Sequence, residues 1–191
     1  MTEIIKNFEK NDFTAKYFET REQATKYLYE NICDQEVTFG GSVTAVELGL
    51  QDILAEKNKV FYHGKDGFMN ENPKVYICSA NALTKDGQIV NIDGRGNRVA
   101  ATIHGSEAVY IVCGVNKIED DLNKAIFRAK NIAAPLNARR LNKNTPCAKG
   151  ELKCYNCNSS ARICRTTVIM DKKNSKTEKF EIIIINEKLG Y

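Results

Sequence analysis

The apolar residues of this chain occur in short runs whose spacing changes from helical to extended along its length. Four runs, at residues 36–39, 59–62, 74–78 and 108–113, contain β-branched and aromatic residues and predict strands. The last three lack a strict apolar–polar alternation, which is typical of strands covered on both faces in a parallel sheet. The pattern therefore favours an α/β fold.

Other segments predict helices. A capping-box pattern beginning at Thr20 predicts a helix that runs to about residue 32, and we expect an earlier helix over residues 13–18. Apolar residues recur at helical spacing in residues 43–54 and 118–136. Pro135 is expected to mark the end of the second of these helices.

The C-terminal part of the chain returns to an extended pattern. Residues 163–170 and 180–185 predict two strands joined by a polar turn. No internal repeat or linker divides the chain. We therefore expect one α/β domain over residues 1–191, with a mostly parallel sheet flanked by helices and a cysteine-bearing insertion, about residues 145–165, before a C-terminal strand pair.

The length and the N-terminal sequence bear on the compartment. A chain of 191 residues can bury a core without disulfide bonds. Residues 1–10 alternate charged and apolar side chains, so they lack the apolar stretch of a secretory signal or a membrane span. We expect a cytoplasmic protein without a membrane partner, whose seven cysteines are thiols or metal ligands.

Four of the cysteines share one short segment with the spacing C-x6-C-x2-C-x6-C: Cys147, Cys154, Cys157 and Cys164. This spacing predicts a metal, and both zinc and an iron–sulfur cluster accept four thiolates. A chance cluster of buried thiols and a transient redox disulfide are the alternatives. The other three, Cys33, Cys78 and Cys113, lie in apolar surroundings and are expected to be small buried hydrophobes.

The positive charge of the chain is concentrated around these four cysteines. The net charge is +4, but residues 139–165 hold seven basic residues against one acidic residue, a local sum of +6 that leaves −2 for the rest. Basic residues lower thiol pKa values and balance a metal–thiolate centre, although a solvated loop is the simpler interpretation. Nucleic-acid binding is least favoured, because Tyr155 is the only aromatic residue there.

A glycine-rich turn between a predicted strand and a predicted helix is a candidate anion site. Gly40 and Gly41 allow a tight turn with accessible N–H groups, and Ser42 can cap the helix that follows. A plain βα turn with a serine cap is the alternative. Glu47, on the first turns of that helix, is either an acid–base group facing the crevice or a solvated carboxylate.

Residues 81–98 form a second polar constellation. Asp86 and Gly87 predict a hairpin, and a second tight turn follows at residues 93–97. Arg98 suits a phosphate or a carboxylate. The residues expected to converge beside the glycine turn are Asn81, Asp93, Gly94, Asn97 and Arg98, although each of them is individually common in turns.

Several of these motifs occur in the order found in one known family: Gly40-Gly41-Ser42-Val43-Thr44 with Glu47-Leu48-Gly49, Asp86-Gly87 through Asn91-Ile92-Asp93-Gly94 to Asn97-Arg98-Val99-Ala100, residues 112–117, residues 134–141, Thr145-Pro146-Cys147, and residues 186–191. The chain resembles the lactate-utilisation, or LUD, domain family over nearly its whole length. The resemblance implies a core like that of the sugar-phosphate isomerases and CoA transferases, which bind phosphorylated or acyl ligands at strand ends. It also implies a link to lactate oxidation through iron–sulfur proteins.

The chain lacks the C-x2-C-x2-C run of a ferredoxin portion and looks like the short, stand-alone members of the family. We therefore expect an iron–sulfur protein, with a 4Fe–4S cluster on the four cysteines near the ligand crevice. The cluster would pass electrons to a protein partner, or bind the substrate as a Lewis acid, during the use of lactate or a related organic acid. The alternative is an isomerase-like or ligand-binding domain with a structural zinc ion, and self-association is left open.

Overall fold

Ten strands organise the computed structural model, which describes residues 1–62 and 73–191. They are β1 Thr14–Phe18, β2 Glu36–Phe39, β3 Lys59–Tyr62, β4 Val75–Cys78, β5 Ala82–Thr84, β6 Ile89–Asp93, β7 Ala108–Gly114, β8 Ile118–Glu119, β9 Thr166–Met170 and β10 Lys179–Ile185. Six of them form one sheet in the order β1-β10-β7-β4-β2-β3, and every neighbouring pair is parallel. The predicted parallel α/β sheet is confirmed.

The other four strands form a smaller sheet in the order β8-β5-β6-β9. Strands β5 and β6 are antiparallel and are joined by the turn at Asp86 and Gly87, as the sequence predicts. Strand β9 pairs antiparallel with β6, and β8 pairs parallel with β5. This sheet supplies the loop after β6 that later forms part of the site.

The helices are α1 Thr2–Lys10, α2 Arg21–Asn31, α3 Val43–Glu47, α4 Leu50–Ala55, α5 Asn97–Ile103, α6 Leu122–Arg128, α7 Ala134–Arg140 and α8 Pro146–Lys149. Thr20 caps α2, because its hydroxyl accepts the Gln23 backbone N–H at 3.4 Å. The helix predicted over residues 43–54 is instead two helices. Gly49, at φ +62°, breaks it between α3 and α4.

Both faces of the large sheet are buried. Along β7, Val109 and Ile111 face a cluster that includes α1 and the small sheet, whereas Tyr110 and Val112 face a cluster that includes α2, α3 and α4. A third cluster lies between the outer face of the small sheet and α6. Burial on both faces explains why the strands lack an apolar–polar alternation.

Three predicted elements are corrected. Residues 13–18 contain strand β1, which pairs with β10, and the N-terminal helix is α1. Residues 118–136 begin with β8, and the helix starts at Leu122 and continues to Arg140 through a π-helical segment at Ala129–Ala133. Pro135 does not end the helix; it lies in the first turn of α7, directly after the π-helical segment.

The two C-terminal strands exist, but they do not pair with each other. Strand β9 joins the edge of the small sheet beside β6, and β10 enters the large sheet between β1 and β7. The cysteine-bearing insertion lies between α7 and β9 and contains α8. Within residues 1–62 and 73–191, no helix has the length and apolarity needed to cross a membrane.

Candidate functional site

The carboxyl ends of the parallel strands open into a cavity of about 730 Å³. Gly41 and Ser42 follow β2, Ser79 follows β4, Lys117 follows β7, and Tyr191 follows β10; all of them line this cavity. The loop after β6, helix α7 and the chain before β9 complete its walls. Ligands of open α/β sheets bind at this end of the strands.

Seven of the nine ligand-site residues proposed from the sequence line the cavity: Gly41, Ser42, Asn81, Asp93, Gly94, Asn97 and Arg98. Gly40 and Glu47 are not in its lining. The Gly40 N–H donates to the Ile77 carbonyl at 2.9 Å, which extends the pairing of β2 with β4. Glu47 is exposed and its Oε2 accepts the Gly190 N–H at 2.7 Å, so it holds the C-terminal segment.

The glycine turn, residues 40–42, mainly connects β2 to α3. Ser42 is buried, and its Oγ accepts the Ala45 N–H at 3.1 Å as the cap of α3. Helix α3 has five residues, so its dipole is small. The observed geometry is that of a plain βα turn with a serine cap, and ligand contact by this turn stays a prediction.

Asp93 shapes the loop after β6. Its Oδ1 accepts the N–H groups of Arg95 and Gly96 at 3.0 Å each, and its Oδ2 accepts the Val99 N–H at 3.3 Å. Its backbone carbonyl accepts the Arg165 N–H at 3.0 Å, which docks the cysteine-bearing segment onto this loop. Asp93 therefore begins α5 and anchors the insertion.

The Arg98 guanidinium directs its donors at the protein. Nη1 donates to the Ser79 carbonyl at 2.9 Å and to Asn91 Oδ1 at 2.6 Å. Nη2 donates to Asn81 Oδ1 at 3.2 Å and to the Ile92 carbonyl at 2.6 Å, and Nε lies 3.8 Å from Asp93 Oδ2. Arg98 gives the cavity positive charge, but a direct hydrogen bond to a ligand requires breaking one of these contacts.

Lys117 is a cavity residue that the sequence analysis did not single out. Its side chain is 3% exposed overall, and its Nζ donates to Ser79 Oγ at 2.8 Å and to Thr44 Oγ1 at 3.1 Å. None of the ion pairs found among the described residues includes it. Burial lowers the pKa of the Lys117 ammonium. The one sequence signal was a lysine three residues after a wholly apolar strand.

The cavity is strongly basic. Its described lining contains seven cationic side chains and the single carboxylate of Asp93. The cationic residues are Arg95, Arg98, Lys117, Arg140, Lys143, Arg162 and Arg165. Such an excess of positive charge around a concave site attracts anions.

The four clustered cysteines are all partly buried and reduced. Arg162 donates from Nε to the Cys164 carbonyl and from Nη1 to the Cys157 carbonyl, each at 2.8 Å. The Asn156 N–H lies 3.4 Å from Cys154 Sγ. Within the described ranges, no three His, Cys, Asp or Glu side chains lie together in a way that could hold a metal ion. The donor atoms suit zinc or an iron–sulfur cluster chemically, but their arrangement here does not fit a single metal ion.

One solved structure shares this architecture over nearly its whole length. A crystal structure of a DUF162 family protein from Deinococcus radiodurans is similar with a TM-score of 0.57 and 10% identity, over 96% of this chain and 97% of the other. Ribose 5-phosphate isomerase from Plasmodium falciparum is similar over 52% of each chain, with 15% identity and a TM-score of 0.37. No curated protein matches the sequence. The model of the LUD domain matches residues 1–185, so the chain belongs to the LUD domain family.

Proposed function

We propose that this LUD-domain protein binds a small organic anion, bearing a carboxylate or a phosphate group, in the basic cavity at the strand ends. The observation that supports it is the charge of the lining, which is seven cations against one carboxylate. The Asp93 carboxylate already accepts three backbone N–H groups, so it competes little with an incoming anion for the cations of the lining. Lactate and related organic acids, which the family resemblance suggests, belong to this class.

The cations divide into a buried group and a rim. Lys117 and Arg98 lie deep in the cavity, with side chains 3% and 15% exposed. Arg140 is exposed at the rim, where its Nε and Nη2 both donate to Asn137 Oδ1. A ligand with an anionic group at one end can therefore enter past the rim and meet a desolvated cation at the floor, where electrostatic attraction is strongest.

Calorimetric titration of the whole chain with lactate, pyruvate and inorganic phosphate, at two salt concentrations, tests the proposal. We expect at least one probe to bind with 1:1 stoichiometry and with an affinity that falls as salt increases. Lys143→Ser removes a lining charge and should weaken that binding by about tenfold, the effect of one contact worth about 1.4 kcal/mol.

Lys130→Ser is the matched control, because Lys130 is exposed on the helical segment before α7 and is not in the lining. It removes the same charge and should change the affinity by less than about twofold. If none of the three probes binds, or if both variants lose affinity equally, the cavity is not the anion site.

We also propose, as a second candidate function, that the four cysteines hold an iron–sulfur cluster beside this cavity. Its support is the position of the insertion, since residues 160–163 and Arg165 line the cavity wall and Arg162 fixes the carbonyls of Cys157 and Cys164. When bound, a cluster would supply one-electron redox chemistry, and two such transfers would carry away the two electrons that oxidation of a hydroxy acid releases. A structural zinc ion is the competing occupant, but it would require the four thiols to come closer together than they lie among the described residues.

Anaerobic purification, followed by a visible spectrum and analysis for iron, acid-labile sulfide and zinc, decides between these occupants. Matching iron and sulfide with absorption that dithionite bleaches supports the cluster, and Cys154→Ser should abolish it. A colourless protein with one zinc ion, or with no metal, contradicts the cluster proposal and leaves the anion-binding proposal untouched.

A further inference from the structure

The Lys117 amine occupies a position that anion binding alone does not explain. An ammonium group has three donors, and two of them point at the hydroxyls of Ser79 and Thr44. The backbone of Gly190 covers the amine, because a side chain added at Gly190 would lie 3.3 Å from Nζ. One direction around Nζ thus remains for a molecule in the cavity that the residue lines.

The surroundings of Lys117 lower the pKa of its ammonium group, so a larger fraction of it is the neutral, nucleophilic amine than at an exposed lysine. Burial is the largest influence on its pKa, and it acts downward. The nearby charged and titratable groups are Cys113, which raises the pKa, Arg128 and Arg98, which lower it, and Glu47, which raises it. Glu47 Oε2 accepts the Gly190 N–H, and Glu47 forms no ion pair with Lys117 among the described residues. A buried lysine without a carboxylate partner is energetically costly and is typical of catalytic amines.

We propose that Lys117 is a catalytic nucleophile that forms an imine with the carbonyl group of an anionic ligand, such as a 2-oxo acid or a phosphorylated aldehyde or ketone. The proposal rests on the proposed anion-binding function, because the cations of the lining select the charged end of the ligand. The floor amine then faces the carbonyl carbon.

The step balances without an oxidant or a metal. The Nζ lone pair forms a bond to the carbonyl carbon while the C=O π electrons move to oxygen, which takes a proton that the nitrogen releases. The nitrogen then loses its second proton, the hydroxyl group leaves as water, and a C=N bond replaces the C=O bond. Ser79 Oγ lies 3.4 Å from Thr44 Oγ1, so these two hydroxyls form a path along which the protons can move.

Reductive trapping tests the inference. The whole chain is incubated with pyruvate and sodium cyanoborohydride, digested and mapped by mass spectrometry. We expect one reduced adduct per chain at Lys117, in excess of any adduct at Lys143 in the same cavity. Lactate has the carboxylate without the ketone, so it should slow trapping by competition. Acetone has the ketone without the carboxylate, so it should label Lys117 at least about tenfold more slowly, the loss of one charged contact.

Lys117→Arg keeps a cation at the floor and is the matched variant. It should fold, as judged by circular dichroism, and should give no adduct at position 117. If pyruvate leaves Lys117 unmodified while lactate or pyruvate still binds in calorimetry, Lys117 only donates to anions and the inference is overturned while the proposed function stands. If Lys117 is trapped equally by acetone and pyruvate and no anion binds, the proposed function fails instead.

Discussion

Arg98 and Asn91 are joined by a hydrogen bond of 2.6 Å from the guanidinium Nη1 to the side-chain Oδ1. Asn91 lies on β6, and the same Nη1 also holds the carbonyl of Ser79 after β4. Arg98 therefore connects the small sheet to the large sheet at the floor of the cavity. Arg98 thus has a structural role in addition to its contribution to the charge of the site.

Arg98→Met should destabilise the fold. The substitution removes a donor from four protein acceptors at a side chain that is only 15% exposed, although the Asn81 and Asn91 side-chain oxygens each keep one backbone N–H. We expect a loss of about 3 kcal/mol in the free energy of unfolding. Urea unfolding followed by circular dichroism measures it. Arg95→Met is the control, since Arg95 is exposed in the same loop, and it should stay within about 0.5 kcal/mol of the wild type. Equal effects of the two substitutions would contradict the bridging role.

Lys117→Met should leave stability at neutral pH unchanged or raise it by about 1 kcal/mol, because it removes a buried ionisable group. The pKa of Lys117 is lowered in the folded chain from its ordinary value of 10.5. Between the two values the unfolded chain binds a proton that the folded chain does not, so wild-type stability falls as pH decreases through that window.

Urea unfolding at a series of alkaline and neutral pH values tests this expectation. The wild type should lose stability relative to Lys117→Met as pH falls, and the two proteins should differ least above pH 10.5. Lys130→Met, at an exposed position, should show no such trend. A wild type that gains stability relative to Lys117→Met as pH falls would show that the ammonium form is favoured by folding.

In native, chelator-treated protein, the cysteines should fall into a slow and a fast group in their reaction with Ellman's reagent. Cys78 is fully buried, and burial raises its thiol pKa to about 12, so Ellman's reagent should not modify it before unfolding. The partly buried thiols, which are Cys33 and the four of the cysteine-bearing segment, should react first. Mass mapping after timed quenching assigns the sites, and denatured protein gives the full count. Fast labelling of Cys78 would show that the core between the two sheets opens readily.

Gly87→Ala should cost about 2–4 kcal/mol of folding free energy. Gly87 has φ +84°, and an added side-chain carbon would lie 2.6 Å from the backbone of Asn7 in α1. Gly41→Ala is the matched control, because nothing lies within 4 Å of a carbon added there. Thermal unfolding of the two variants compares them, and similar melting temperatures would contradict the close approach of α1 to the hairpin.

The sequence predicted those features that depend on local pattern. Thr20 was expected to cap a helix, and the turn at Asp86 and Gly87 was expected to join two strands, because both signals lie within a few residues of the structure that they specify. The parallel sheet was predictable because strands such as β7 bury both faces, which removes the alternation of apolar and polar residues.

Apart from the helix break at Gly49 and the position of Pro135, the errors concern residues whose partners lie far along the chain. Residues 14–18 become a strand because β10, more than a hundred and fifty residues later, offers them an edge. The burial of Lys117 had only a weak local signal, its position three residues after an apolar strand, because its contacts are with Thr44 in α3 and Ser79 after β4. Gly41 and Ser42 could be placed at the cavity because parallel strands end on the same side of a sheet, which is a rule of topology. The other five proposed residues in the lining border strands of the small sheet, and they were expected there from the density of polar turn residues over positions 81–98.

The central place of β10 has a consequence for how the protein is made. Strands β1 and β7 are synthesised well before residues 179–185, yet each of them pairs with β10 along one edge. Until those residues leave the ribosome, two apolar strand edges have no partner, and they are prone to pair with another chain. The large sheet can therefore be completed only when β10 pairs with β1 and β7, which are far away in the sequence. Pairing of this kind slows folding, and it makes a nascent chain of this protein dependent on protection from aggregation.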